Sequence, residues 1–421
     1  MQYIKLEKLN IIKNKVEYSF SVSEELDIFF DKEKKMFVEF DIDISDIPKS
    51  ILVIPFVANM APLVWLTNSN LWIEEIDRRY YDSLYRVKNS YQNMYPHYKF
   101  GGNIISAKTV YNKYNIERSA VQLFSGGLDA ITTTIRISDK EPILINIFGW
   151  CKNDKENYNI FESDKKNISI FSKKNNLESN FIKSNFAIII NSKNVDNKYK
   201  KSLKDSWWHG LQHGMSFIGH AIPLAYKYKA ENIYIASSFA LDGVRNTCSS
   251  DPAVDIEIKY ASGGVVHDGF ELNRQQKLSL IVNKQKEIKS DYPLRVCSFN
   301  DRNCCKCEKC FRTILGLIAE GADIKNFGFE INGDIKKHFV DLMDSNIQFW
   351  GVEKESRVHW PIIRKRMLEN KNNIQEKEFV EWFLNYDFLT NRKKALLKYR
   401  VKNFIPIIKR KIFGKYNENN K

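Results

Sequence analysis

The sequence contains no run of 18 apolar residues, so a membrane-spanning helix is not expected. The opening MQYIKLEKLN lacks the apolar stretch that a secretory signal needs. Cysteine is scarce and falls unevenly. Of seven cysteines in 421 residues, five lie between Cys297 and Cys310, and the others are Cys151 and Cys248. Disulfide staples would be spread along the chain. Cysteines bunched together, with no export signal, read instead as a metal site in a reducing, cytoplasmic compartment. A zinc-protease helix is missing too. His209 and His213 stand at i and i+4 in WWHGLQHG, but the glutamate of an HExxH motif is absent. Beside Trp207 and Trp208 these histidines read as packing residues, or as lining of a nucleotide site.

A chain of 421 residues is too long for one ordinary core and should form two or three domains. With 43% hydrophobic and 28% charged residues, its balance is that of a soluble globular protein. The net charge of +14 is concentrated at one end. Residues 391–421 hold eleven Lys or Arg and one Glu, a net of +10, which leaves +4 for the preceding 390 residues. From Arg392 to Lys415 the basic residues interleave with Leu396, Phe404, Ile405, Ile408 and Phe413, and Pro406 should break any helix there. The tail reads either as a solvated end or as a basic amphipathic segment for an anionic membrane surface, a nucleic acid or an acidic partner.

Periodicity suggests four regions. Residues 1–116 read as a β-rich domain: VEYSFSV and FVEFDIDI alternate at period two, IPKSILVIPFVANMAPLVWL is a buried segment, and Glu74–Met94 is helical. Residues 117–340 alternate between strand and helix. Ala120–Phe124, PILINIF, FAIIINS and ENIYIASS read as strands, and ITTTIRIS and WWHGLQHGMSFIGHAIPLAYKY as helices. That alternation predicts an α/β domain with a doubly wound parallel sheet. A helix from Phe311 should end at Gly321, a helix-terminating glycine. Residues 341–390 read as a helical region, followed by the tail at 391–421.

Between a buried strand and a helix stands Ser125-Gly126-Gly127-Leu128-Asp129-Ala130. A loop in that position aims backbone N–H groups and the positive helix end at whatever lies above the strand's carboxyl end. Two glycines let a phosphate come close to the backbone. Ser125 adds a hydroxyl, and Asp129 can hold Mg²⁺ or orient the loop. The bland reading is a plain turn capped by Asp129. Downstream, Cys297, Cys304, Cys307 and Cys310 supply four thiolates at the spacing of a closed structural zinc site. Cys305 is left over as a substitute ligand or a free thiol. An iron–sulfur cluster, or buried cysteines without metal, are the alternatives.

SGGLDA resembles the SGGxDS signature of PP-loop ATP pyrophosphatases, whose fold is adenine nucleotide alpha hydrolase-like. Ser125, Gly126, Gly127 and Asp129 match it, while Ala130 replaces a serine or threonine. The cysteine spacing followed by Phe311-Arg312 resembles the zinc motif of 7-cyano-7-deazaguanine synthases, with Cys305 where that family has glycine. The resemblance covers residues 118–320 and extends to synthase-like proteins with added domains found in bacterial anti-phage clusters. It implies an ATP-dependent carbon–nitrogen ligase with ATP, Mg²⁺ and Zn²⁺ as cofactors. Such an enzyme adenylates a small-molecule carboxylate of the 7-deazaguanine type and releases pyrophosphate. It then forms an amide or nitrile bond with ammonia or a protein amine. Gln2 stands where glutamine-hydrolysing synthetases expose a cysteine nucleophile, so ammonia would be free or delivered by a partner.

Further candidates lie beyond the ends of the sheet strands. Ser237 and Ser238 end a strand and should face one ligand crevice. Asp242 and Arg245 in the following loop, and His267 and Asp268 in the segment Gly263–Gly269 before a helix carrying Glu271 and Arg274, read as substrate contacts. Arg274 or Arg312 could balance the charge on the departing pyrophosphate. Two other readings stay open. One is tRNA thiolation through Cys151 or Cys248. The other is a module that binds a nucleotide or base without turnover, which the loss of a hydroxyl at Ala130 favours.

Overall fold

The computed structural model describes residues 2–31, 34–149, 155–241, 247–297, 302–345, 358–387, 389–391, 393, 394 and 397. The chain forms two units, Met1–Asn273 and Arg274–Lys421.

The first unit is built on one sheet. Its strands are β1 (Tyr3–Ile12), β2 (Lys15–Val22), β3 (Lys35–Phe40), β4 (Asn70–Asp77), β5 (Asn103–Val110), β6 (Arg118–Leu123), β7 (Ile143–Phe148), β8 (Ser179–Ser184), β9 (Ala230–Ala236), β10 (Lys259–Tyr260) and β11 (Gly263–Asp268). They lie in the order β10-β11-β9-β6-β7-β8-β3-β2-β1-β4-β5. The block β8-β7-β6-β9-β11 is parallel throughout. Side chains on its two faces enter different packing layers. Val121, Ile233 and Val265 belong to the main core, whereas their neighbours Ala120, Tyr234 and Val266 pack with Ile137 on the other side. Burial on both faces explains the continuous apolar strands and is compatible with a doubly wound α/β fold.

The expected boundary between residues 116 and 117 is not where the units divide. β3 pairs antiparallel with β8, Val38 opposite Ser184 and Phe40 opposite Ile182, so the N-terminal strands extend the parallel block. Asn185 fastens the seam, accepting from the Phe37 N–H at 2.9 Å and donating to the Lys35 carbonyl at 2.9 Å. Helix α1 (Ile54–Thr67) is buried along its whole length. It packs on helix α2 (His213–Lys227), where a Cβ on Gly219 would lie 2.3 Å from Ala58 Cβ. Apolar surface this extensive has to be shared, so the first 116 residues complete the same core.

Three local expectations are corrected. Glu74–Asp77 belong to β4, and the helix runs only from Arg78 to Met94, capped by Asp77, which accepts from the Tyr80 N–H. FAIIINS is not a strand. The strand is the preceding β8, and Phe186–Ile189 form a single helical turn that buries Phe186 and Ile189 on one side. Gly263–Asp268 form strand β11, and the helix after it starts at Arg274, beyond Glu271.

The second unit begins at Arg274, inside the domain expected over 117–340. Its helices are α3 (Arg274–Ile288), α4 (Glu308–Ala319), α5 (Ile335–Ser345), α6 (Trp360–Glu369) and α7 (Lys377–Asn385). Phe311, Phe339, Trp360, Phe379 and Phe383 form its aromatic core, with Phe311–Phe339 centroids 4.3 Å apart and Trp360–Phe383 centroids 5.0 Å apart. Buried Glu320 accepts from Arg366 Nη2 at 2.7 Å and from Gln275 Nε2 at 2.7 Å, which ties three helix segments together. Gly321, at φ +67, closes α4 as expected, although the helix starts at Glu308 rather than Phe311. Nearly all of the basic tail lies outside the described residues.

Candidate functional site

β6 ends at Leu123 and helix Leu128–Arg136 begins five residues later. β6 lies between β7 and β9, so the chain leaves it towards β7 and β8 on one side and returns to β9 and β11 on the other. The loop 124–127 therefore leaves the carboxyl end of the strand at which the order reverses, where open α/β sheets bind ligands. Gly126 has φ +72, and a Cβ there would meet nothing within 4 Å. Gly127 precedes the helix without any side-chain cap, so the first N–H groups of the helix face the loop. Ser125 is exposed, and its Oγ accepts from the Gly127 N–H at 3.4 Å. Asp129 lies in the first helical turn. Leu128 is 2% exposed, so its side chain anchors the helix in the core and only its backbone borders the loop.

Several expected substrate contacts are committed elsewhere. Asp268 accepts from Thr133 Oγ1 at 2.8 Å and from Arg136 Nε at 3.1 Å, fastening the loop's helix to β11. His267 Nδ1 lies 2.8 Å from Asp255 Oδ2 in a pair whose side chains are 2% and 0% exposed. Ser237 and Ser238 do not share a crevice. Ser237 is buried and donates to the Phe239 carbonyl at 2.9 Å, whereas Ser238 is exposed in the bend that follows β9. Asp242, Arg245 and Cys151 lie outside the described residues.

Of the histidines of WWHGLQHG, His209 lies in a widened π turn, Trp208–Gln212, and His213 is the first residue of α2, which follows it. His213 is largely enclosed. Its Nδ1 lies 2.8 Å from the Trp208 carbonyl and 2.8 Å from Ser249 Oγ, and its Nε2 lies 3.6 Å from Cys248 Sγ. Burial pushes the Cys248 thiol up to about 12, the state of a protonated packing residue rather than a sulfur carrier. His209 instead reaches solvent, and its Nδ1 lies 3.1 Å from Asp205 Oδ1. Asp205 went unnoticed in the sequence, although a carboxylate four residues before a histidine on helical chain was a readable signal.

In the second unit the Sγ atoms of Cys297, Cys304, Cys307 and Cys310 all lie within 4.8 Å of one another. A tetrahedral ion with bonds of about 2.3 Å spaces its sulfurs about 3.8 Å apart. The Cys304–Cys310 separation is 3.9 Å. Hydrogen bonding from the Cys310 thiol brings Cys307 down to about 5. The four cysteines can hold a metal ion. Cys305 is not one of them: its Sγ turns to the Asn303 carbonyl at 3.7 Å. Its φ of +53 lies in the left-handed region, which explains why glycine suits this position. Asn303, not singled out in the sequence, stitches the knuckle. It accepts from the Val296 N–H at 3.1 Å and donates to the Leu294 and Gly328 carbonyls at 2.7 and 3.0 Å.

Arg274 and Arg312 do come together. They line one small cleft with Gln275, Leu278, His359, Ile362 and Ile363. Arg274 donates to Thr313 Oγ1 at 2.9 Å, and Arg312 pairs with Glu308 at 3.2 Å. Loop 124–127 belongs to the first unit and the cysteines and arginines to the second. No helix among the described residues is long and apolar enough to cross a membrane. Comparisons with protein-family models, curated proteins and solved structures find no match to this chain.

Proposed function

We propose that the protein is an ATP-dependent carbon–nitrogen ligase of the PP-loop type. It adenylates a small carboxylate, releases pyrophosphate and passes the acyl group to nitrogen. One observation carries the reading: an uncapped helix start at the order-reversal point of a parallel sheet, preceded by a left-handed glycine with open space above it. That arrangement suits an anion with several oxygens, because helix N–H groups and the helix dipole converge on it without any side chain. Ser125, Gly126 and Gly127 would hold the phosphates, with the backbone of Leu128 behind them. Asp129 would hold Mg²⁺, which neutralises charge on the phosphate oxygens. The four cysteines would hold zinc as a folding element, since a closed four-thiolate set leaves no position open for chemistry. The acid of first choice is 7-carboxy-7-deazaguanine, on the resemblance of loop and knuckle together.

ATP labelled in the α phosphate, incubated with this acid, should give AMP and pyrophosphate. Formation of ADP and phosphate would refute the class. The second reading, a nucleotide-binding module without turnover, is favoured by Ala130, whose position is 4% exposed and carries no hydroxyl. ATP binding without pyrophosphate release for any acid would select it.

A further inference from the structure

Asp205 is the organising group of the segment before α2. Its side chain is 12% exposed, yet it accepts four hydrogen bonds. Tyr95 OH and Thr247 Oγ1 reach Oδ2 at 3.0 and 2.6 Å, the Ser206 N–H reaches Oδ1 at 2.7 Å, and His209 Nδ1 lies 3.1 Å from Oδ1. Burial acts to raise this carboxyl, but the hydrogen bonds from His209, Thr247 and Ser206 prevail and hold it below its usual range. A fixed carboxylate on Nδ1 keeps the proton on that nitrogen, which leaves Nε2 with a lone pair. The His209 side chain is 42% exposed, and no partner of Nε2 is found among the described residues.

The position is set by topology within the first unit. α2 ends at Lys227, and β9 starts three residues later, so α2 runs antiparallel to β9. Its amino end, with the π turn, therefore lies at the carboxyl ends of β9 and of its parallel neighbour β6, where loop 124–127 emerges. Two contacts agree. The His209 ring lies 6.5 Å from that of Phe239, three residues past the end of β9, and the His209 carbonyl accepts from the Ser249 N–H at 2.8 Å. π turns of this kind concentrate at functional sites.

We propose that His209 is the general base of the nitrogen-transfer step, with Asp205 as its positioning residue. The proposal rests on the adenylation reading. As the attacking nitrogen bonds to the acyl carbon, the carbon–oxygen bond to AMP breaks and AMP leaves with the electron pair. The proton shed by nitrogen passes to His209 Nε2 and from there to solvent. His213, enclosed between Trp208, Ser249 and Cys248, cannot exchange a proton this way.

The test uses full-length protein with Mg-ATP, 7-carboxy-7-deazaguanine and ammonium chloride. It tracks ATP–pyrophosphate exchange for the first step and nitrogenous product for the second. His209→Asn should keep exchange within about threefold while product formation falls about 10²- to 10⁴-fold. Hydroxylamine, neutral at pH 7 and strongly nucleophilic, should still yield hydroxamate in that variant. His209→Gln, which can keep a hydrogen bond to Asp205, should be equally defective, and Asp205→Asn should lower kcat for transfer with KM for the acid unchanged. Normal product formation in His209→Asn would overturn the assignment, as would equal loss of exchange, hydroxamate and product, which marks a structural role. Absence of exchange in the unsubstituted protein would overturn the adenylation reading itself, and the base assignment with it.

Discussion

Replacing Cys307 with serine should empty the cysteine knuckle and unfold the second unit. The four Sγ atoms lie within 4.8 Å of one another, and Cys297 and Cys310 are 1% and 0% exposed. As thiolates at that spacing, each pair repels by about 3.5 kcal/mol at an effective dielectric constant of about 20, or about 20 kcal/mol over the six pairs. Four thiolates are therefore held together only by a cation. Structural zinc contributes about 10–16 kcal/mol of apparent binding free energy to folding, as much as the whole stability of an ordinary domain, about 5–15 kcal/mol. A serine hydroxyl does not ionise at neutral pH and is a poor replacement. The full-length protein should carry one zinc per chain by elemental mass spectrometry. Cys307→Ser should carry almost none and expose its α4–α7 region to limited proteolysis. Cys305→Ser, whose sulfur lies outside the cluster, should keep its zinc. Iron with a visible chromophore would replace the ion by a cluster. Unsubstituted protein with neither metal, or Cys307→Ser with unchanged metal and proteolysis, would refute the argument.

Gly126→Ala should weaken ATP binding at least tenfold by calorimetry, because a methyl fills the open space above the loop, and should cost about 1 kcal/mol of left-handed strain. An unchanged affinity would remove the loop from the nucleotide site. Gly219→Val should cost about 2 kcal/mol or more of stability, seen as a lower urea midpoint, since a Cβ there already meets Ala58 Cβ at 2.3 Å. A neutral effect would mean that α1 and α2 do not pack as described. Fully buried His220 is pulled down to about 4 by burial. Its neutral form is favoured in the folded state, so the unfolded chain binds the extra proton between its ordinary value of about 6.5 and 4. Stability should therefore be fully present above pH 6.5 and fall by about 3 kcal/mol on acidification to pH 4. His220→Gln should flatten that slope in pH-dependent melts, and an unaltered slope would place the titration elsewhere.

Much of the local structure was legible without coordinates. Period-two alternation marked β2 and β3, apolar runs marked β6, β7 and β9, and the strand–glycine–helix order located loop 124–127. The failures share a cause. FAIIINS is apolar enough for a strand, but Asn185 ends β8 by bonding to β3, a partner some 150 positions earlier. His267 and Asp268 carry groups suited to catalysis, but Asp255, Thr133 and Arg136 consume them. Ser237 and Ser238 lie where the chain bends after β9, which buries one and exposes the other. The cysteine spacing identified that four thiols converge, since two short steps in succession constrain the loop locally. Which of Cys304 and Cys305 joins them was decided by backbone conformation, with Cys305 held at φ +53. The sequence by itself determined what nearest neighbours can fix: secondary-structure type, the glycine loop and the cysteine knuckle. Only the tertiary structure decided that the first 116 residues share one sheet and core with residues 117–273, and that His209 stands exposed on a half-buried Asp205. Pairing β3 with β8 and packing α1 on α2 depend on apolar area and hydrogen-bond partners far apart in the chain, and no local pattern encodes those.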